Sequence, residues 1–211
     1  MLELSLETFL QVVSPTMSIT LYSTILYNGV LIQRKRSVSG FSVWPFASAL
    51  LNGFVWLTYG YLRDDISVAL PGVFGFCVGL VCSFIYIRHS KLSHFRVWAF
   101  VILTICAATV CAVYGFRSAV GYMGSSLIVI LLASPLAAIS AAIKDKSAAT
   151  LPLAMSCVGW INAASWFSYG IFVASDPKIY IPHVLGLSLT TIQLGLHTYL
   201  ECCRKRVPYI H

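Results

Sequence analysis

Seven stretches of this chain run for 20 or more residues without Asp, Glu, Lys or Arg: about 8–33, 37–62, 66–87, 97–116, 118–143, 147–175 and 179–200. Each is long enough to cross a bilayer, which takes about 20 residues of helix. Helix is the expected form because a backbone in hydrocarbon has no water to satisfy its N–H and C=O groups. A soluble domain is excluded: 58% of residues are hydrophobic and 10% charged, with mean hydropathy +0.84, where soluble domains carry about a quarter charged residues. Seven spans consume about 140 of the 211 positions, leaving no room for an extramembrane enzyme domain. The sequence also lacks H-E-x-x-H, G-x-S-x-G and P-loop patterns, so catalysis and cofactors are not expected.

The short connections carry the charge, and they alternate. One side of the membrane collects Arg34, Lys35, Arg36, Arg88, Lys91, Arg96, Lys144, Lys146, Arg204, Lys205 and Arg206, eleven cations against Asp145 and Glu201, a net of +9. The other collects Arg63, Arg117 and Lys178 against Glu3, Glu7, Asp64, Asp65 and Asp176, a net of −2. The positive-inside rule then predicts an outer N-terminus and a cytosolic C-terminus. The overall +7 records topology and does not indicate a nucleic acid partner. The plasma membrane is the first expectation, with an organelle membrane open. No cationic segment precedes the first span, so that helix is expected to be retained. Cys202-Cys203, beside Arg204-Lys205-Arg206, are either acylated juxtamembrane thiols or idle ones.

The chain repeats itself. A shift of 110 residues brings Arg36-Ser37 onto Lys146-Ser147, Asn52 onto Asn162, and Trp56-x-x-Tyr59-Gly60 onto Trp166-x-x-Tyr169-Gly170. One further residue in the next loop aligns Pro71-Gly72-x-x-Gly75 with Pro182-His183-x-x-Gly186. Each copy holds three spans, and a single unmatched span between the copies restores their orientation, as in transporters built from parallel repeats. The expected fold is therefore an all-α membrane protein of seven transmembrane helices, two parallel three-helix bundles joined by a linker helix (3+1+3). The expected divisions are 1–92, the linker 93–117, 118–200 and a cytosolic tail 201–211.

Polar groups at membrane depth usually face the bundle interior. Asn52 and Asn162 each precede a repeat tryptophan by four residues, so amide and indole share a helix face. Amides donate to and accept from hydroxyls, and an aromatic ring covers an apolar C–H face; both copies thus offer sugar-binding chemistry towards a shared central pocket. The plain alternative makes Trp56 and Trp166 interfacial belt residues and the asparagines interhelical glue. His183 aligns with Gly72, so one copy offers an imidazole where the other offers open space; the alternative is an interfacial histidine. Pro45, Pro135 and Pro152 are candidate hinges, since proline frees a carbonyl and bends a helix. No charged residue falls at mid-membrane, which argues for passive transport without a coupling ion.

Taken together, the residues resemble the SWEET (MtN3/saliva) family of sugar facilitators over nearly the whole chain. The resemblance is carried by Lys35-Arg36-Ser37, Phe41-Ser42, Pro45-Phe46 and Trp56-Leu57-Thr58-Tyr59-Gly60, then by Ser134-Pro135-Leu136, Lys146-Ser147, Pro152, Ser165 to Gly170 and Asp176-Pro177. It implies a bidirectional sugar uniporter working by alternating access. It also implies a proline ring near the cytosolic side, matched here by Pro45, Pro135 and Pro152 but with Ile25 at the first-span position. The family's pocket asparagines on the third and seventh spans correspond to Gly72 and His183, and its outer gate to Tyr59 and Asp176. The expected partners are a mono- or disaccharide and the bilayer, with a homo-oligomer left open. The rival readings are another PQ-loop-type solute transporter, although no Pro-Gln dipeptide occurs, and a seven-helix receptor, which gives no reason for the repeat.

Overall fold

The computed structural model describes residues 2–206, with side chains for 6–203; the side chains of Glu3 and Arg204-Lys205-Arg206, counted above, lie outside the described residues. The regular elements are α1 (Leu2–Lys35), α2 (Trp44–Arg63), α3 (Ile66–His89), α4 (Phe95–Val113), α5 (Arg117–Leu131), α6 (Ala133–Asp145), α7 (Leu153–Phe172) and α8 (Pro177–Arg206), with a 3-10 turn at Ala148–Thr150. Because α5 and α6 are one span interrupted at Leu132, eight helices make seven spans, grouped as three, one and three.

Five spans are long and apolar enough to cross a membrane unaided: Leu6–Lys35, Ile66–His89, Phe95–Val113, Arg117–Asp145 and Pro177–Cys203. The other two, α2 and α7, are 20 residues each, about 30 Å of helix. They are less apolar because they carry the asparagines, serines, tryptophans and tyrosines of the repeat. Both also begin later than the charge-free stretches suggest, at 44 and 153 instead of 37 and 147. Proline sets these starts. Pro45 occupies the first turn of α2 and Pro152 is the N-cap of α7, extended at φ −68°, ψ 110°. Neither ring allows the helix to continue back through it, since each lacks an N–H and would clash with the preceding turn.

The chain folds as two compact units, Met1–Leu127 and Ile128–His211. In the first, α3 lies between α1 and α2, and α4 packs on α2; in the second, α8 lies between α6 and α7. Each bundle thus places its third helix in the middle. The duplication reaches the backbone. The four non-glycine residues with positive φ among those described form two pairs at the repeat offset, Arg36 with Lys146 (φ 50° and 48°) and Asp64 with Ser175 (φ 56° and 49°). The residue after each member of the second pair donates its N–H to the matching glycine carbonyl, Asp65 to Gly60 and Asp176 to Gly170, both at 2.9 Å. Such left-handed residues close helix C-termini.

Close packing differs between the units. On the α2–α3 seam a Cβ on Gly53 would strike the backbone of Phe76, one on Gly79 that of Leu50, and one on Gly72 that of Leu57. Small residues let helix backbones approach in a membrane, where no hydrophobic force drives them together. At the matching positions the second bundle carries Ala163, His183 and Thr190. The first bundle's lower core gathers Ile32, Phe46, Val78, Cys82 and Tyr86; that of the second is Ile139, Ala142 and Leu151 against Leu189, Leu196 and Leu200.

Candidate functional site

In the first unit the i, i+4 pair on α2 is joined directly. The Trp56 Nε1–H donates to Asn52 Oδ1 at 3.1 Å, and Asn52 Nδ2 donates to the Tyr22 hydroxyl of α1 at 3.0 Å. The Tyr22 ring itself occupies the space that Gly75 of α3 leaves without a side chain. The indole meets Tyr59 edge-on, centroids 5.7 Å apart at 80°, and α5 closes on it at Gly124, where a Cβ would lie 2.9 Å from the indole. Trp56 is therefore fixed in orientation by an amide that has one further N–H and one further lone pair beyond these two bonds. Tyr22 and Gly124 carry no sequence signal for this role, because both meet α2 only through the fold.

In the second unit Trp166 meets Tyr169 edge-on at 5.3 Å and 76°, repeating the first. The His183 ring stacks on the indole, 6.1 Å and 28°. Its Nδ1 lies 2.6 Å from the Ile179 carbonyl. A carbonyl only accepts, so Nδ1 carries the proton, and in the neutral ring Nε2 is left as a bare acceptor. Asn162 sits one turn before the indole, its carbonyl accepting from Ser165 Oγ at 2.9 Å.

Gly72 does not offer the open space expected opposite His183. Its Cβ direction points at the α2 backbone, within 3.0 Å of the Gly53 carbonyl oxygen as well as at Leu57, so this position closes the α2–α3 seam and presents no side chain to a ligand. The repeat matched the two positions in register, but the tighter first bundle leaves no volume there.

The remaining site candidates fall at the helix ends. Tyr59 is buried near the C-terminus of α2, with the Arg63 guanidinium 5.8 Å from its ring centroid. Asp176, 2% exposed, precedes α8 and accepts from the Lys178 backbone N–H at 3.0 Å and from Lys178 Nζ at 3.5 Å. Of the three prolines only Pro135 interrupts a span, just after the break at Leu132; Pro45 and Pro152 begin helices, where a missing N–H costs nothing. At the two first-helix positions of the proline ring the third helix reaches a backbone carbonyl: Cys82 Sγ donates to Ile25 O at 3.8 Å, and Gln193 Nε2 to Pro135 O at 3.4 Å.

The family model described as "Sugar efflux transporter for intercellular exchange" matches residues 8–94 and 118–205, the two copies of the repeat. Among curated relatives, "Sugar transporter SWEET1" of Drosophila pseudoobscura pseudoobscura is 31% identical over 174 residues, 77% of this chain and 76% of that protein. "Bidirectional sugar transporter N3" of Medicago truncatula is 31% identical over 179 residues, 79% of this chain and 66% of that protein. A solved eukaryotic SWEET transporter superposes with TM-score 0.83 at 22% identity, covering 96% of this chain and all of that one; at that identity the likeness speaks to fold.

Proposed function

The chain belongs to the MtN3/saliva (SWEET) family of sugar efflux transporters, and from that premise we propose that it is a passive, bidirectional uniporter for a mono- or disaccharide. It is a multi-pass membrane protein, with its N-terminus assigned outside and its C-terminus in the cytosol by the charge asymmetry of its loops. It is not an enzyme on this reading.

The observation that carries the proposal is the paired indole. Trp56 is held by the Asn52 amide and Tyr59, and Trp166 by Tyr169 and His183. Each unit thus offers an indole face suited to the C–H face of a pyranose, with the spare Asn52 valences in the first and the Asn162 amide and His183 Nε2 in the second suited to its hydroxyls. Nε2 accepts only, so the hydroxyl it takes must donate. Tyr59 and Asp176 are assigned to an outer gate, each at the outer end of its own bundle, and Pro45, Pro135 and Pro152 to the cytosolic end. Alternating access then needs only outward- and inward-open states of similar free energy, whose populations the sugar shifts. With no charge at mid-membrane there is no group to couple an ion.

The test is sugar counterflow in liposomes containing the purified protein, with no ion gradient. Counterflow is expected in both directions, and Trp56→Ala or Trp166→Ala is expected to abolish it while the protein remains monodisperse. Counterflow that requires a pH gradient, or that survives removal of both indoles, refutes the reading.

A further inference from the structure

The end of the first bundle opposite Asp64 and Asp65 carries six cations, Arg34, Lys35, Arg36, Arg88, Lys91 and Arg96, all exposed. The fold brings them together. The last turns of α1 and α3 are tied by a 2.9 Å hydrogen bond between Gln33 and His89. The loops 36–43 and 90–94 pack around Tyr86, whose hydroxyl donates to the Phe41 carbonyl at 3.4 Å and whose ring lies 5.4 Å from His94. Neither 33–44 nor 87–98 contains an acidic residue, and none of the six cations is in an ion pair among the described residues.

The positive-inside rule asks for cations at this end of either bundle, but not for the exclusion of acids. In sequence the matching end of the second bundle has Lys144, Lys146, Arg204, Lys205 and Arg206 interspersed with Asp145 and Glu201, whereas the first bundle's six cations have no acid among them. Four of the first-bundle groups, Arg34, Lys35, Arg88 and His89, lie in last turns where a helix favours cations. Arg96 is placed against that rule, in the first turn of α4, a turn without an acid, where the macrodipole repels it. An anion held there removes the conflict. Beside it Leu92 and Phe95 are 74% and 75% exposed, two apolar side chains interleaved with Lys91 and Arg96 in the connection from α3 to α4.

We propose that this surface binds the headgroup of a polyanionic phospholipid of the surrounding leaflet, a phosphoinositide bisphosphate, with Leu92 and Phe95 entering the acyl region. Basic clusters on the cytoplasmic side of transmembrane helices hold such headgroups, and each Lys or Arg near the surface strengthens binding about five-fold. The inference uses the orientation assigned above only to say which leaflet supplies the lipid.

The experiment takes the full chain in phosphatidylcholine nanodiscs and titrates in a fluorescent phosphatidylinositol bisphosphate, reading the apparent Kd. Arg88→Gln with Lys91→Gln and Arg96→Gln is expected to weaken binding about 100-fold, and Lys144→Gln to leave it unchanged. Leu92→Ser with Phe95→Ser is expected to weaken the lipid but not soluble inositol trisphosphate, which should compete at least ten-fold less well than the lipid. Equal binding by the wild type and the triple variant, an equal loss from Lys144→Gln, or competition by the soluble headgroup at the lipid's own affinity overturns the proposal. None of these residues belongs to the sugar site, so counterflow measured on the same samples separates failure of the lipid reading from failure of the transport reading.

Discussion

Restoring the family's pocket asparagine should be nearly neutral at position 183 and destabilising at position 72. A Cβ on Gly72 would lie 2.8 Å from Leu57 Cα and 3.0 Å from Gly53 O, where carbon contacts ordinarily begin near 3.5 Å. Both neighbours are backbone, so no side-chain rotation relieves the contact, and α2 and α3 must separate by roughly 0.5–1 Å, a gap that forfeits a quarter to a half of each dispersion well along the seam. Overpacking of this kind costs about 1–3 kcal/mol, offset by a few tenths of a kcal/mol because asparagine favours helix over glycine. The net, about 2 kcal/mol, corresponds to a fall in Tm of about 4–8 °C for a chain of this size. Gly72→Ala should fall nearly as far, since the Cβ alone makes the clash. His183→Asn removes the stacking on Trp166 and the Ile179 contact but meets no backbone, and about 1 kcal/mol or less is expected from the lost ring contact. Thermal unfolding of the three variants in one detergent, followed by thiol-reactive dye or by loss of the monodisperse peak, decides it. A Gly72→Asn protein that melts with the wild type refutes the seam argument and returns position 72 to the sugar site.

Two other substitutions test the site's supports. Asn52→Leu strands the Trp56 N–H and leaves the Tyr22 hydroxyl without its donor, which should cost about 2 kcal/mol; in a cycle with Tyr22→Phe the two changes should couple by roughly 1 kcal/mol, and strictly additive melting shifts would deny the network. Pro135→Ala supplies an N–H facing the last carbonyl of α5 and so bridges the break at Leu132; counterflow should slow several-fold with Tm unchanged or higher, and an unchanged rate would mean the break is not used in transport.

Much of the candidate site's local geometry was readable in the chain because the partners are close in sequence. Asn52 with Trp56 and Trp166 with Tyr169 lie within one helical turn, and i, i+4 spacing alone puts the first pair in contact. Other features were not readable. Tyr22 reaches Asn52 across 30 residues, and the choice of Nδ1 as the protonated nitrogen of His183 depends on where the Ile179 carbonyl points. The break between α5 and α6 falls inside an unbroken apolar run, so hydropathy alone passes over it, and Pro135 is its only mark.

The sequence by itself determined that the chain spans a membrane seven times, which loops share a side, and that three helices recur after a fourth. These properties belong to segments taken singly, since the bilayer acts on each helix as a solvent and charge is excluded span by span. Only the tertiary structure decided that Gly72 faces the α2 backbone while His183 stacks on Trp166, and that the basic ends of α1 and α3 are tied together through Gln33 and His89. Two copies of one pattern can differ in these respects because helix spacing is set by which side chains meet across a seam. Gly53, Gly72 and Gly79 bring the α2 and α3 backbones together where Ala163, His183 and Thr190 stand between α7 and α8.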